Sequence, residues 1–169
     1  MKLLYKNKDI YNDVHLNECV YESYCCNQVN KLRIVFDDSD HKFEKYNMMV
    51  NDSISVEKDN IKTKKMYIAR INPMESQFEI VAYSVKSEVL CARSHKSWKN
   101  VMFKQIIKDL AEECGLKADF YGVKNQKYQE IDQKSERNLM LASRLSVLES
   151  CVVIIQDDKM IVASEPYLE

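Results

Sequence analysis

Gln105-Ile-Ile-Lys-Asp-Leu-Ala-Glu-Glu-Cys-Gly-Leu116 sets the period of the second half of this chain. With Phe103 ahead of it, the apolar residues fall at Phe103, Ile106, Ile107, Leu110, Ala111 and Cys114. That is the i, i+3, i+4, i+7, i+8, i+11 stripe of an amphipathic helix. Asn100 suits an N-cap and Gly115 a left-handed C-terminal cap, so the spacing predicts a helix over about residues 100–114.

Upstream the period is two. Leu32, Ile34 and Phe36 alternate with Arg33 and Asp37, and Ile54 and Val56 alternate with Ser53, Ser55 and Glu57. Met66 to Ile71 and Gln77 to Val85 continue the pattern, with Phe78, Ile80 and Ala82 on one face. The chain has only two Gly and two Pro, so its turns fall to Asn and Asp: Asn51-Asp52, Asp59-Asn60 and Asn72 to Ser76. Short strands about ten residues apart predict a small antiparallel β-barrel or sandwich. Downstream of the first helix, Ser135 suits the cap of a second one over about residues 135–149, with Glu136 in its first turn and Leu139, Ala142, Leu145 and Leu148 inward. Cys151 to Ile155 and Met160 to Ala163 then read as a hairpin, residues 151–164, turning at Asp157-Asp158-Lys159. The expected class is α+β, with a barrel-like domain over residues 1–86 and an α+β lobe over residues 87–169. No internal repeat is evident in the sequence.

Hydrophobic residues make up 46% and charged residues 30%, which fits an ordinary globular protein and not a disordered one. Twenty-five Lys and Arg against 26 Asp and Glu argue against a dedicated nucleic-acid binder, and the basic stretch Lys58 to Lys65 reads as a solvated hairpin loop. The strongest apolar run, Cys151 to Ile155, is far short of the ~20 residues of a spanning helix. The start, Lys2-Leu3-Leu4-Tyr5, turns polar at once and does not read as a signal peptide, so the chain is expected to be made and kept in the cytoplasm, or to leave by lysis or assembly. Its six cysteines (Cys19, Cys25, Cys26, Cys91, Cys114 and Cys151) are then expected to stay reduced. Cys25-Cys26 is vicinal and a poor chelate, while Cys114 and Cys151 read as small core residues.

The residues that carry chemistry elsewhere form no constellation here. His15, His41 and His95 lie far apart in polar surroundings, and two glycines cannot build a phosphate-binding loop. Cys91 with His95, near Arg93 and Lys96, lacks an identifiable partner base or oxyanion hole. Glu112-Glu113 and Asp157-Asp158 read as solvated pairs. No catalytic, cofactor-binding or metal-binding residue is assigned; the chain is expected not to be an enzyme and to need no cofactor. Tyr5, Tyr11, Tyr21, Tyr24 and Tyr46 crowd the first third, which fits either an interface or β-propensity with core filling.

The order of these segments resembles the late control D, or baseplate hub, family of contractile phage tails, whose relatives include the spike-hub proteins of type VI secretion. Asn30-Lys-Leu-Arg-Ile-Val-Phe36, Asn51-Asp-Ser-Ile54, Met66-Tyr-Ile-Ala-Arg-Ile71 and Phe78-Glu-Ile-Val-Ala-Tyr-Ser84 look like successive barrel phrases of that family. Gln105 to Leu116 looks like its helix ending in Gly-Leu, and Ser135 to Leu148 followed by Cys151 to Ala163 like its later helix and hairpin. Asn51 stands where the family usually has Gly. The resemblance implies a structural baseplate hub or adaptor that joins the tail tube to the spike, located in the virion or tail-like particle. Its implied partners are tube and spike proteins, and further copies in a ring. Full hubs carry a second tube-like region; a chain with one implies a ring of one unit per position, or a second hub protein supplying the other half. Two other readings stay open, a peptide-binding or assembly-chaperone module and a tail-associated cell-wall hydrolase.

Overall fold

Alternating apolar residues make strands with one face to give to a core, and the first half of the chain is built from them. The computed structural model describes residues 1–24, 28–59, 61–156 and 158–167; the Cys25-Cys26 pair, Asn60 and Asp157 lie outside the described residues. Contacts divide the chain into two units, Met1–Ser23 with Asn30–Ser87, and Tyr24–Val29 with Glu88–Glu169.

The first unit holds β1 (Lys2–Tyr5), β2 (Lys8–Asp9), β3 (His15–Glu22), β4 (Lys31–Asp37), β5 (Ser53–Lys58), β6 (Ile61–Lys62), β7 (Met66–Pro73) and β8 (Gln77–Tyr83). Every pairing is antiparallel, in the order β2-β1-β5-β7-β8-β4-β3 with β6 added to β5. The sheet curls into a half-barrel, and among the described residues no ladder joins its two ends, β2 and β3. Leu32, Ile34 and Phe36 of β4, Ile54 of β5, Ile68 of β7 and Ile80 and Ala82 of β8 fill the concave side and are almost wholly buried, as period two requires. Phe43 closes this core, stacked on Phe78 at 4.8 Å and tilted against Phe36 at 4.4 Å. The turns use left-handed Asn and Asp. Asn51 has φ +70° and donates its N–H to Ile68 O at 2.7 Å, which explains how this position suits Gly elsewhere.

The second unit contains α1 (Ser87–Cys91), β9 (Arg93–Met102), α2 (Phe103–Glu113), β10 (Lys117–Tyr121), β11 (Lys127–Arg137), α3 (Asn138–Leu148), β12 (Cys151–Gln156) and β13 (Lys159–Ser164). β9 and β11 form an antiparallel ribbon; β10 runs parallel to β13, which pairs antiparallel with β12. The terminal hairpin lies where the pattern placed it. The helix starts do not. Asn100 is not an N-cap but sits in β9 with φ +51°, and Ser135 is not a cap but a left-handed residue at the register shift of β11. Each helix continues directly from a ribbon strand, and its first free N–H groups are met from afar. Phe103 N–H reaches Gln126 O at 2.8 Å, Lys104 N–H reaches Asn125 Oδ1 at 3.0 Å, and Asn138 N–H reaches Ala92 O at 3.2 Å. Donors met this way need no local cap. At its other end α2 closes as expected. Gly115 at φ +66° donates to Glu112 O at 2.9 Å and Leu116 N–H to Ala111 O at 2.8 Å, a Schellman closure.

The second unit repeats itself. The buried residues of α2 are Phe103, Ile106, Ile107, Leu110 and Ala111; those of α3 are Asn138, Leu141, Ala142, Leu145 and Ser146, each 35 positions later. The left-handed residues Asn100 and Gly115 likewise recur as Ser135 and Ser150. Two strand–helix–strand halves thus share one backbone plan, corrected from the reading of no repeat. The sequence hides it because a buried position demands little more than a side chain that fits.

Candidate functional site

The histidines stay apart. His15 opens β3, His41 is an exposed residue at φ +50°, and His95 pairs its Nε2 with Ser135 Oγ at 2.8 Å across the ribbon. Among the described residues no group of three or more His, Cys, Asp or Glu side chains is placed to hold a metal ion. Two of the carboxylates that share a hollow with His15 serve turns: Asp38 Oδ1 accepts the Phe43 N–H at 3.0 Å, and Asp37 Oδ1 accepts Ser39 N–H at 3.0 Å. Cys91 is exposed at the end of α1, whereas Cys114 and Cys151 are buried and burial pushes both thiols up, Cys114 to about 11. A thiol so raised stays protonated and is a poor nucleophile.

Three polar nodes that the sequence did not reveal are present. Asp52 Oδ2 accepts Tyr5 OH at 2.6 Å and Met49 N–H at 2.8 Å, and its Oδ1 pairs with Lys6 at 2.9 Å. Burial pushes its carboxyl up, but those bonds outweigh burial and hold it below its usual range. Glu79, on the convex side of β8, is bound by Arg33 Nε at 2.6 Å and Asn72 Nδ2 at 2.6 Å, and Arg33 also pairs with Glu18. Together they rivet β3, β4, β8 and β7 side by side.

The third node starts from Glu113, which is exposed like Glu112, as the sequence suggested, yet is not idle. Glu113 Oε2 accepts Asn138 Nδ2 at 2.8 Å and Oε1 pairs with Lys96. Asn138 and Gln133 are only 2% and 1% exposed. Asn138 Oδ1 accepts Ser94 Oγ–H and Gln133 Nε2–H, both at 2.7 Å, and Gln133 also reaches Glu136 O at 2.9 Å. The end of α2, the start of α3 and both ribbon strands are tied here by the buried amides of Asn138 and Gln133, which reach out to the exposed Glu113 and Lys96. The buried part of such a network holds geometry.

The tyrosines divide by role. Tyr5 is buried, Tyr46 packs edge-on against it at 6.3 Å, Tyr24 belongs to the second unit, and Tyr11 and Tyr21 line a cleft of about 400 Å³ in the first. One wall of the cleft is β3, through Leu16, Cys19 and Tyr21; the facing wall is the β5–β6 corner, through Val56, Lys58 and Ile61. It is a concavity of ligand-site size with an apolar lining and one cation. The sequence signal for it was the odd, half-polar β3, whose periodicity a bulge between Leu16 and Glu18 interrupts.

No protein-family model matches the chain, and no curated protein matches it by sequence. Solved structures do. An Escherichia coli component of the type VI secretion system, itself structurally similar to the T4 bacteriophage tail proteins gp27 and gp5, matches 97% of this chain and 49% of its own at TM-score 0.73 and 12% identity. The tail protein of Neisseria meningitidis matches over 95% and 50% at TM-score 0.65 and 13% identity. The 43 kDa tail protein of prophage MuSo2 from Shewanella oneidensis matches over 79% and 45% at TM-score 0.59 and 13% identity. The chain spans about half the length of these structures. Nearly all of it therefore shares the fold found in phage tail and type VI secretion proteins.

Proposed function

We propose that this protein is a structural component of a phage tail or phage-tail-like injection particle, placed in the baseplate as a hub or adaptor between tube and spike. The reading belongs with the late control D kind of hub, and it assigns the chain no catalysis. The observation that carries it is the likeness of almost the whole chain to tail and secretion-system structures from different bacteria. The polar nodes support it as well, since each spends its charged groups on holding elements together.

The internal repeat adds a specific argument for partners. On the outer side of α2 stand Lys104, Gln105, Lys108, Glu112 and Glu113; at the same positions 35 residues later α3 carries Leu139, Met140, Ser143, Val147 and Leu148. Met140, Val147 and Leu148 are 60%, 59% and 66% exposed. One plan with a polar outer face in one copy and a largely apolar one in the other, interrupted by the exposed Arg144, marks α3 as a face covered in an assembly. The test is particle composition and imaging. Particles from cells carrying Met140→Glu with Val147→Glu should lack this chain and the parts beyond it, while the isolated variant keeps the wild-type melting temperature. Complete, infective particles without the chain would overturn the reading.

A further inference from the structure

We propose that the cleft between β3 and the β5–β6 corner binds a small apolar carboxylate, a saturated chain of about ten carbons whose head group meets Lys58. The floor of the cleft is core: Leu32 is wholly buried and Val56 is 5% exposed. Its walls are core left incomplete. Cys19 and Tyr21 are the register partners of the buried Ile34 and Leu32 and so share their concave face. Together with Leu16 they pack against the buried cluster yet stay only partly buried, and Ile61 opposite is 59% exposed. The volume of about 400 Å³ falls in the range of small-molecule sites.

The polar groups of the lining decide the class of ligand. Thr63 Oγ accepts the Val56 N–H at 2.8 Å and donates back to Val56 O at 3.3 Å, and Tyr21 OH accepts from Asn30 Nδ2 at 3.0 Å. These groups are spent on the protein itself, which favours a ligand without amides along its length. The lining holds two charged side chains. Glu18 is matched by Arg33, whereas Lys58 makes no ion pair among the described residues. Its charge reaches Cys19, where it offsets part of the burial that pushes that thiol up. An apolar tail against Leu16, Cys19 and Tyr21 with a single anionic end at Lys58 meets both demands of one cleft. This inference stands on the cleft alone and does not need the tail reading.

The test is a calorimetric titration of sodium decanoate into the intact protein. Saturable binding is expected below about 1 mM. From hexanoate to decanoate it should strengthen about three- to fourfold per methylene as more chain is buried. Decanol, which keeps the chain and loses the charge, should bind about fivefold more weakly. Lys58→Gln should weaken decanoate by about the same factor and leave decanol unchanged, a difference that a merely disturbed fold would not produce. Bound decanoate should also slow iodoacetamide at Cys19 but not at the exposed Cys91, read by mass spectrometry. No saturation up to about 1 mM overturns the proposal. So does a Lys58→Gln protein that binds decanoate as well as wild type, or that loses decanol and decanoate equally. Cys91 slowed as much as Cys19 would mean detergent-like coating and overturn it too. Self-association of the protein that blocks Cys19 without ligand would assign the cleft to a second copy.

Discussion

Replacing Asn138 by Ala should cost the second unit about 3 kcal/mol. The side chain, 2% exposed, accepts from Ser94 and Gln133 at 2.7 Å each and donates to the Glu113 carboxylate at 2.8 Å. Two neutral bonds at about 1 kcal/mol each and one to a charged group at about 1.5 kcal/mol or more set the scale, and Gln133 keeps its bond to Glu136 O, which limits the loss. With a urea slope of about 2 kcal/mol per M, the midpoint falls by about 1.5 M. The assay reads the right unit: Trp98 is the chain's one tryptophan, it lies in β9, and its Nε1 donates to Asp109 at 2.9 Å. Asn138→Asp keeps the acceptor yet sets a second carboxylate against Glu113. It should be less stable than Asn138→Ala at neutral pH and recover as the medium is acidified. A midpoint shift below about 0.3 M for Asn138→Ala, or an Asp variant as stable as wild type at neutral pH, would refute the view that this network holds the helices to the ribbon.

Other outcomes follow from single positions. Gly115→Ala should lose about 1 kcal/mol from its left-handed backbone alone, since an added Cβ meets nothing within 4 Å, whereas at Gly122 the Cβ would strike Ser164 and the Tyr167 ring; Gly122→Ala should melt well below Gly115→Ala in calorimetry. Arg33 first, then Asn72, hold the Glu79 carboxyl below its usual range, so its stabilisation is complete above the unfolded value near 4.5 and disappears as pH falls through the lower folded value. Wild type should exceed Glu79→Gln in stability at neutral pH, with the two denaturation curves converging in acid. Finally, iodoacetamide at mildly alkaline pH should modify exposed Cys91 within the folded protein and leave Cys114, raised to about 11 by burial, untouched until urea unfolds it. Equal rates would contradict its placement in the core.

Much of the architecture was legible because burial imposes periods. Period two at Leu32, Ile34 and Phe36 and at Ile80 and Ala82 located half-barrel strands, and Phe103 to Ala111 located α2 with its Gly115 closure. The ribbon escaped notice since β9 and β11 expose most residues on both faces and so carry no alternation. Polar residues suggested local caps at Asn100 and Ser135, while the true partners, Gln126, Asn125 and Ala92, are distant in sequence or on another element. The cleft and the polar nodes join residues tens of positions apart, and no local pattern encodes such meetings.

What the sequence determined by itself is therefore the mixed α and β class, the core faces of the main strands of the curled sheet and the buried stripe of α2, because hydrophobic burial acts along one element at a time and leaves a periodic trace. In α3 it misplaced Leu148, read as inward but 66% exposed. What only the tertiary structure decided is the 35-residue repeat, the strand order that puts β3 at one end of the sheet and the hydrogen bonds of the buried Asn138. Those depend on which elements become neighbours, and hydrogen bonds and charges act between neighbours in space, whatever their separation along the chain.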